Sequence, residues 1–303
     1  MGRTAFIFPG QGSQYVGMGK ALWDAHAEVR ELYREASEAA GTDLAGVSFE
    51  GPEEYLNSDL NAQMSVFVCN EAHRFAALKA GLVPDAVTGY SLGFYSALVA
   101  SGSVSFLDGL RIVKTAGEIS IGISAVGTMG AVIGLGLDEV EAICARASEG
   151  SVGVWVSNIN AARQILVSGG TAAVERAVAL AIEAGALSAY RLPMGAAYHS
   201  PMMETASSEF ERALAGFAFC GPALPLLSYI DSDYIDTGEG VRGVLARHLK
   251  SRVPWKDSIL RLVADGFDSF IEVGPGSALT RMVRWVDRTV AASAAESLIM
   301  SKV

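Results

Sequence analysis

Gly89-Tyr90-Ser91-Leu92-Gly93 stands between a short apolar stretch, Ala86 to Thr88, and a helical stretch that runs to Ala100. This is the spacing G-x-S-x-G, in which a strand turns sharply into a helix and the central serine projects from the turn. Glycines at the two ends remove side chains that would collide in so tight a bend. The helix N-terminus adds backbone N–H groups and the positive end of a dipole beside the hydroxyl. The pattern alone is a weak signal; the strand before it and the helix after it give it weight. A fold with this turn is an α/β fold with a parallel sheet, and 33 glycines in 303 residues suit one with many tight strand-to-helix turns.

The rest of the chain alternates accordingly. Thr4 to Phe8 reads as a buried strand, Pro9 to Gln14 as a Gly-rich turn, and a helix is expected through about Ala40. Ser105 with Asp108 forms a capping-box pattern that opens a helix toward Ser120. From Gly127 to Met194 the rhythm changes to βαββαβ, the split unit of a ferredoxin-like subdomain. The α/β pattern then resumes, with a helix over 201–215, strands over 224–230 and 267–273, and a last helix through Asp287; the final dozen residues are expected to fray. The reading is a large hydrolase-like α/β unit, residues 1–126 and 195–303, with a small ferredoxin-like unit, 127–194, inserted into it.

A serine hydroxyl is a poor nucleophile without a base. Four histidines are available, and His26 and His73 fall within helical segments, where packing or surface roles are the ordinary ones. His199 sits in a loop of small residues, Gly195 to Pro201, and is the better base. The Pro9-Gly10-Gln11-Gly12-Ser13-Gln14 turn lacks the Lys of a phosphate-binding loop; its best use is a backbone N–H aimed at an oxyanion.

A net charge of −10 disfavours generic nucleic-acid binding. Cys69, Cys144 and Cys220 are scattered, which argues against a disulfide framework or a metal site. The apolar run before Pro9 is too short for a signal-peptide core, Phe6 stands where a myristoylation signal needs Ser or Thr, and no stretch approaches the roughly 18 apolar residues of a membrane span. A cytoplasmic, membrane-free protein is expected.

Four motifs then occur in order: Pro9 to Gln14; Gly89 to Gly93 followed by Tyr95 and Ala97-Leu98; His199-Ser200-Pro201-Met202-Met203; and Glu272-Val273-Gly274-Pro275-Gly276. Together they resemble the malonyl-CoA:acyl carrier protein transacylase family, which includes the acyltransferase domains of fatty-acid and polyketide synthases. The resemblance covers nearly the whole chain, insert included. It implies Ser91 as nucleophile, His199 as general base and acid, and the backbone N–H groups of Gln11 and Leu92 as the oxyanion hole. It implies that the backbone carbonyl of His248, in the segment before Val253-Pro254-Trp255, orients His199. Gln63, Asn160 and Gln164 match family residues of the acyl cleft. The substrates implied are acyl-CoA and a phosphopantetheine-bearing carrier protein, with no bound cofactor.

Three positions depart from the family pattern. Tyr90 stands for the usual His, Phe94 for the usual Glu, and Ala116 for the Arg that forks onto a malonyl carboxylate 25 residues after the serine. A buried carboxylate without a cation is costly to bind, so the expectation is an acyltransferase for a neutral acyl group, with Tyr90, Phe94 and Ala116 shaping the pocket. Lys114 and Arg111 are the nearest cations in sequence, and Lys114 falls on another helical face. A thioester hydrolase on the same scaffold is the alternative, and a non-catalytic carrier-binding subunit the alternative from another class. Arg242, Arg247, Lys250, Arg252, Lys256 and Arg261, with Asp257 the one acid among them, form the expected docking patch for an acidic carrier.

Overall fold

The computed structural model describes residues 2–123, 127–150 and 152–300. Ten strands occur in chain order: β1 (Arg3–Phe8), β2 (Ala86–Gly89), β3 (Gly127–Ile133), β4 (Val154–Ala161), β5 (Gln164–Gly170), β6 (Ser188–Arg191), β7 (Leu226–Leu227), β8 (Tyr234–Ile235), β9 (Phe267–Glu272) and β10 (Ala291–Ala294). They form two sheets. The larger has the order β10-β9-β1-β2-β7-β8, parallel from β10 through β7, with β8 antiparallel at the edge.

β1 is central, flanked by β9 and β2, and its Ala5-Phe6-Ile7-Phe8 run is buried on both faces, as a parallel sheet covered by helices requires. Each such Phe or Ile contributes about 1.5–3 kcal/mol of burial free energy. The smaller sheet has the order β4-β5-β3-β6, all antiparallel, with the helices Leu137–Ala147 and Thr171–Glu183 packed on it: the ferredoxin-like arrangement, with its own core around Val132, Val140, Ile165 and Val174.

Several elements differ from the sequence reading. The first long helix is two, Lys20–Ala25 and Ala27–Ala40, because His26 takes an extended backbone between them. The 201–215 segment opens as a 3-10 turn, Pro201–Met203, before the helix Glu204–Ala213. The strand expected over 224–230 is paired only at Leu226–Leu227. Of the final dozen residues, expected to fray, those through Met300 are paired or helical: Ala291 to Ala294 pair in parallel with Ser269 to Glu272, and the helix Ala295–Met300 follows; 301–303 lie outside the described residues. Ser105 does cap the helix Phe106–Ile123, its Oγ accepting from Asp108 N at 3.1 Å and donating to Asp108 Oδ2 at 2.8 Å. Among the described residues no helix is long and apolar enough to cross a membrane.

The Glu272-to-Gly276 motif is a structural clamp. The buried Glu272 carboxylate accepts from Leu279 N at 3.1 Å and Thr280 N at 2.7 Å, the free N–H groups that open the helix Ala278–Val286. Gly274 packs against the Pro9 ring, so this clamp also fixes the turn after β1.

Candidate active site

At the end of β2 the chain reverses over five residues into the helix Gly93–Ala100. Gly93 N donates to Tyr90 O at 2.9 Å, Phe94 N to Ser91 O at 2.9 Å, and Tyr90 N ties the turn to Phe8 O of β1 at 2.9 Å. Ser91 is left at φ 51°, a left-handed conformation that non-glycine residues seldom adopt. Both glycines are required by close approach: a Cβ on Gly89 would overlap the Gly93 carbonyl, and one on Gly93 would overlap the Phe8 carbonyl.

His199 meets the serine from the other side, and it too has a left-handed backbone, φ 61°, held by its N–H donating to Leu249 O at 2.7 Å. Ser91 Oγ and His199 Nε2 are 2.7 Å apart, and His199 Nδ1 lies 3.0 Å from Ser251 O. A carbonyl only accepts, so Nδ1 carries the proton and Nε2 offers its lone pair to the serine hydroxyl. The ring's pKa is lowered from 6.5 to about 4 by burial, against the opposing pull of the Ser251 and His248 carbonyls. Near neutral pH the imidazole is therefore uncharged and ready to accept a proton.

The expected orienting carbonyl was that of His248; the hydrogen bond belongs to Ser251. His248 caps the helix Gly238–Arg247, and the chain then turns, with Lys250 N and Ser251 N both donating to Arg247 O. That turn carries the Ser251 carbonyl onto the histidine, while the His248 carbonyl stays close enough only to favour the charged ring. The His248 ring is hydrogen-bonded through Nδ1 to Tyr229 Oη at 2.7 Å, and burial drives its pKa well below 6.5. The turn is stitched to the insert: Val253 N donates to Ser157 O at 2.8 Å, Ile159 N to Val253 O at 2.9 Å, and Arg252 Nε to Val156 O at 3.1 Å.

Beside the pair lie the Gln11 and Leu92 backbones. Among the described residues neither N–H has a hydrogen-bond partner, and Gly10 brings the two segments together, a Cβ there falling 3.5 Å from Leu92 N and 2.5 Å from Tyr90 O. The Gln11 side chain is braced: its Nε2 donates to Asp59 Oδ1 at 2.8 Å, and Gln63 Nε2 bridges Gln11 Oε1 at 3.2 Å and Tyr198 Oη at 3.1 Å.

A pocket opens from Ser91 toward the insert. Gln11, Gln63, Tyr90, Leu92 and Ala116 line it, together with an apolar wall of Met129, Leu166, Leu192 and Met194 from the insert. Tyr95, Asn158, Tyr198 and Leu249 also line it, and sequence reasoning had not singled them out for it.

Three expected pocket residues are not in its wall. Phe94 is fully buried behind the elbow, its ring 5.2 Å from that of Tyr229; one position along the helix, Tyr95 takes the pocket-facing direction. Asn160 lies one pleat beyond Asn158 on β4 and accepts from Tyr90 Oη at 2.9 Å, a second-layer contact. Gln164 lies one pleat beyond Leu166 on β5, opposite Ile133 and Ala161. Tyr90 itself joins the elbow to the insert, since Asn158 Nδ2 donates to its hydroxyl at 2.7 Å; burial raises its pKa, so it stays a neutral phenol.

No Lys or Arg side chain is among the described residues lining this pocket, and both histidines there, His199 and His248, are held neutral. Lys114 turns away to the Ala40 carbonyl at 2.9 Å, and Arg111 pairs with Asp108 on the surface at 3.0 Å. The basic segment expected to dock a carrier is mostly neutralised. Arg247 pairs with Asp231, Lys250 with Glu204, Arg252 with Glu141, and Arg261 with Asp233 and Asp265, all within 3.2 Å.

Comparison with known proteins agrees with this geometry. The sequence pattern of the acyl transferase domain matches residues 5–299. The malonyl CoA-acyl carrier protein transacylase of Escherichia coli (strain K12) is 36% identical over 297 residues, 97% of this chain and 96% of that protein. The crystal structure of an acyl-carrier-protein S-malonyltransferase from Burkholderia pseudomallei superposes with a TM-score of 0.93 at 33% identity, covering 98% of this chain and 99% of that one. A malonyl-transacylase in complex with its type II PKS acyl-carrier protein superposes with a TM-score of 0.91 at 32% identity, over 96% and 94% of the two chains. With an elbow serine paired to a loop histidine and a match over almost its full length, the chain belongs to the acyl transferase domain family.

Proposed function

We propose that this enzyme transfers a neutral acyl group from coenzyme A to the phosphopantetheine thiol of an acyl carrier protein by way of an ester on Ser91. Ser91 Oγ attacks the thioester carbonyl as its proton passes to His199 Nε2. The oxyanion is met by the Gln11 and Leu92 N–H groups, each such donor being worth about 3 kcal/mol in the transition state. The C–S bond breaks, and the His199 proton goes to the departing sulfur. A carrier thiol then loses its proton to His199 and reverses the sequence. The imidazolium formed on the way rests against the Ser251 carbonyl, where a standard triad has a carboxylate. Carrier protein enters as partner because the relatives are named for it. A cytoplasmic setting belongs to the same reading and is supported by two buried free thiols, Cys69 and Cys144, neither in a disulfide.

The observation that carries the neutral-acyl reading is Ala116 in a pocket wall without a cation. Relatives named malonyl transacylases handle a carboxylate. Here a malonyl carboxylate would leave water for a wall of Met, Leu and Ala with neutral amides and phenols, and with no Lys or Arg among the described residues to pair it. A hydrogen bond to a charged group contributes about 1.5–3 kcal/mol, so its loss should cut malonyl loading by about tenfold or more. The test is mass spectrometry of the intact protein after incubation with acetyl-, butyryl- and malonyl-CoA. Neutral acyl groups should load Ser91 faster than malonyl, and Ala116→Arg should invert the order. Native loading of malonyl ahead of the neutral groups would overturn the reading.

A further inference from the structure

Tyr229 is fully buried and is not among the described residues lining the acyl pocket; its ring lies 5.2 Å from that of Phe94 and 5.6 Å from that of His248. A Phe would fill that space equally well, and a buried hydroxyl costs about 1–3 kcal/mol unless it is paired, so the oxygen is there for something besides packing. Its one hydrogen-bond partner among the described residues is His248 Nδ1, at 2.7 Å. Burial raises the phenol's pKa well above 10, so the proton stays on Tyr229 and is donated to Nδ1. The residue before His248 is gripped by the same loop: Arg247 Nη1 and Nη2 donate to the two Asp231 carboxylate oxygens at 2.9 and 2.8 Å. The loop is closed on itself. Ser228 Oγ accepts from Ile230 N at 3.3 Å and Asp231 N at 3.2 Å and donates to Asp231 Oδ2 at 3.1 Å, while Ser228 N donates to Asp233 O at 2.8 Å.

Resting on the acyl-Ser91 reading, we propose that Tyr229 is a positioning residue for the base: it fixes His248, and through it the turn whose carbonyls aim His199 at the serine. His248 opens that turn. Leu249 O, next in the chain, accepts from His199 N at 2.7 Å, and Ser251 O lies 3.0 Å from His199 Nδ1. Both anchors of the catalytic histidine therefore sit within three residues of the side chain that Tyr229 holds. Ser251 O stands where a standard triad has a carboxylate, and a carbonyl holds the ring by direction rather than by charge. The direction of that carbonyl follows the turn, and a misplacement of about 1 Å near the reacting atoms can cost about 10²-fold. Without the Tyr229 hydroxyl, His248 Nδ1 is a buried acceptor left unpaired, and the turn relaxes to satisfy it.

The experiment is single-turnover acylation of the full chain, with acetyl-CoA and malonyl-CoA run in parallel, quenched and read by mass spectrometry of the intact protein. The amplitude counts folded enzyme, and the rate constant does not depend on it. Tyr229→Phe keeps the ring and removes only the hydroxyl. It should lower the saturating rate constant about tenfold for the thioester that loads faster, with the half-saturating concentration within about twofold of the parent's, since the substrate is bound as before and the base is misaimed. His248→Leu should show at least the same loss by itself. Adding Tyr229→Phe to it should lower the rate constant no further, because the hydroxyl then has nothing left to hold. A Tyr229→Phe rate constant equal to the parent's overturns the inference. A change confined to the half-saturating concentration does so too, as does a full further loss in the His248→Leu background. The parent separates the two claims. A parent that takes no label on Ser91 from either thioester overturns the acyl-Ser91 reading and this inference with it; a labelled parent whose Tyr229→Phe variant is as fast overturns this inference alone.

Discussion

Lowering the pH from 7.5 to 5.5 should leave the rate of Ser91 acylation nearly unchanged. An imidazole titrating at an ordinary 6.5 would go from about nine-tenths neutral to about one-tenth neutral over that interval, and a reaction needing the neutral form would slow about tenfold. His199 has no carboxylate beside it, only carbonyl oxygens, and its burial lowers the pKa to about 4. The neutral fraction at pH 5.5 is then still about 97%. The same shift has a cost in stability. The folded pKa is below the unfolded 6.5, so between about 6.5 and 4 the unfolded chain binds more protons, and stability falls as the pH falls. For His199 alone the total is about 3 kcal/mol, and burial shifts His73 and His248 in the same direction. Activity must therefore be read before the protein unfolds. A stopped-flow pH jump from 7.5 into buffers between 4.5 and 7.5, with single-turnover acylation followed by quench and mass spectrometry, does this. A plateau down to about pH 5 is expected, with any longer incubation at low pH giving loss through unfolding. A tenfold decline centred near 6.5 in the jump experiment would refute the claim that burial without a carboxylate sets the base.

Ser91→Ala should abolish labelling by acyl-CoA, and His199→Ala should slow it about 10⁴-fold; undiminished labelling of the Ser91→Ala protein would move the nucleophile elsewhere. Gly93→Ala places a methyl against the Phe8 carbonyl and should cost about 3 kcal/mol or more, the upper range for overpacking; a melting temperature equal to that of the parent would show the elbow to be looser than described. Tyr90→Phe strands Asn158 Nδ2 and Asn160 Oδ1 and should cost about 1–3 kcal/mol in urea unfolding. A midpoint unchanged from the parent would mean that the bond network between elbow and insert contributes nothing.

What could be read from sequence is what local sterics or strong periodicity dictate. The elbow was legible because its bend leaves no room for side chains at Gly89 and Gly93, and the ferredoxin-like insert because its alternation of strand and helix is regular. Ser91 and His199 share a site through two left-handed residues on separate segments, and only the residue types hinted at it: a serine between glycines and a histidine among small residues. What was misread lies where one residue changes the direction. His248 and Ser251 are three positions apart, and the turn closed on Arg247 O decides which carbonyl reaches the imidazole. Phe94 and Tyr95 are adjacent, and about 100° of helical rotation puts one in the core and the other in the pocket. On β4 and β5, Asn160 and Gln164 were singled out while Asn158 and Leu166 line the cavity; the register shifts in this pairing, between Val156 and Asn158 and again between Ile159 and Ala161, are not written in any residue type.

Charge was misread for a different reason. A run of six cations over twenty residues looks like a surface waiting for an acidic partner only until its own acids are placed. Glu141 and Glu204 come from more than forty residues upstream, Asp231 and Asp233 from the loop before, and together with Asp265 they leave only Arg242 and Lys256 of that run without an ion pair among the described residues. Exposed pairs of this kind contribute little to stability, about 0–1 kcal/mol each. Their effect here is on fields rather than on folding: a paired arginine attracts a distant acidic protein far less than a free one. The same logic, applied inside the acyl pocket, is what makes Ala116 informative. There the described residues of the wall include no Lys or Arg to be paired or unpaired, and the two histidines that face the cavity are kept uncharged by burial, so among them no cation is at hand to offset the desolvation of a carboxylate.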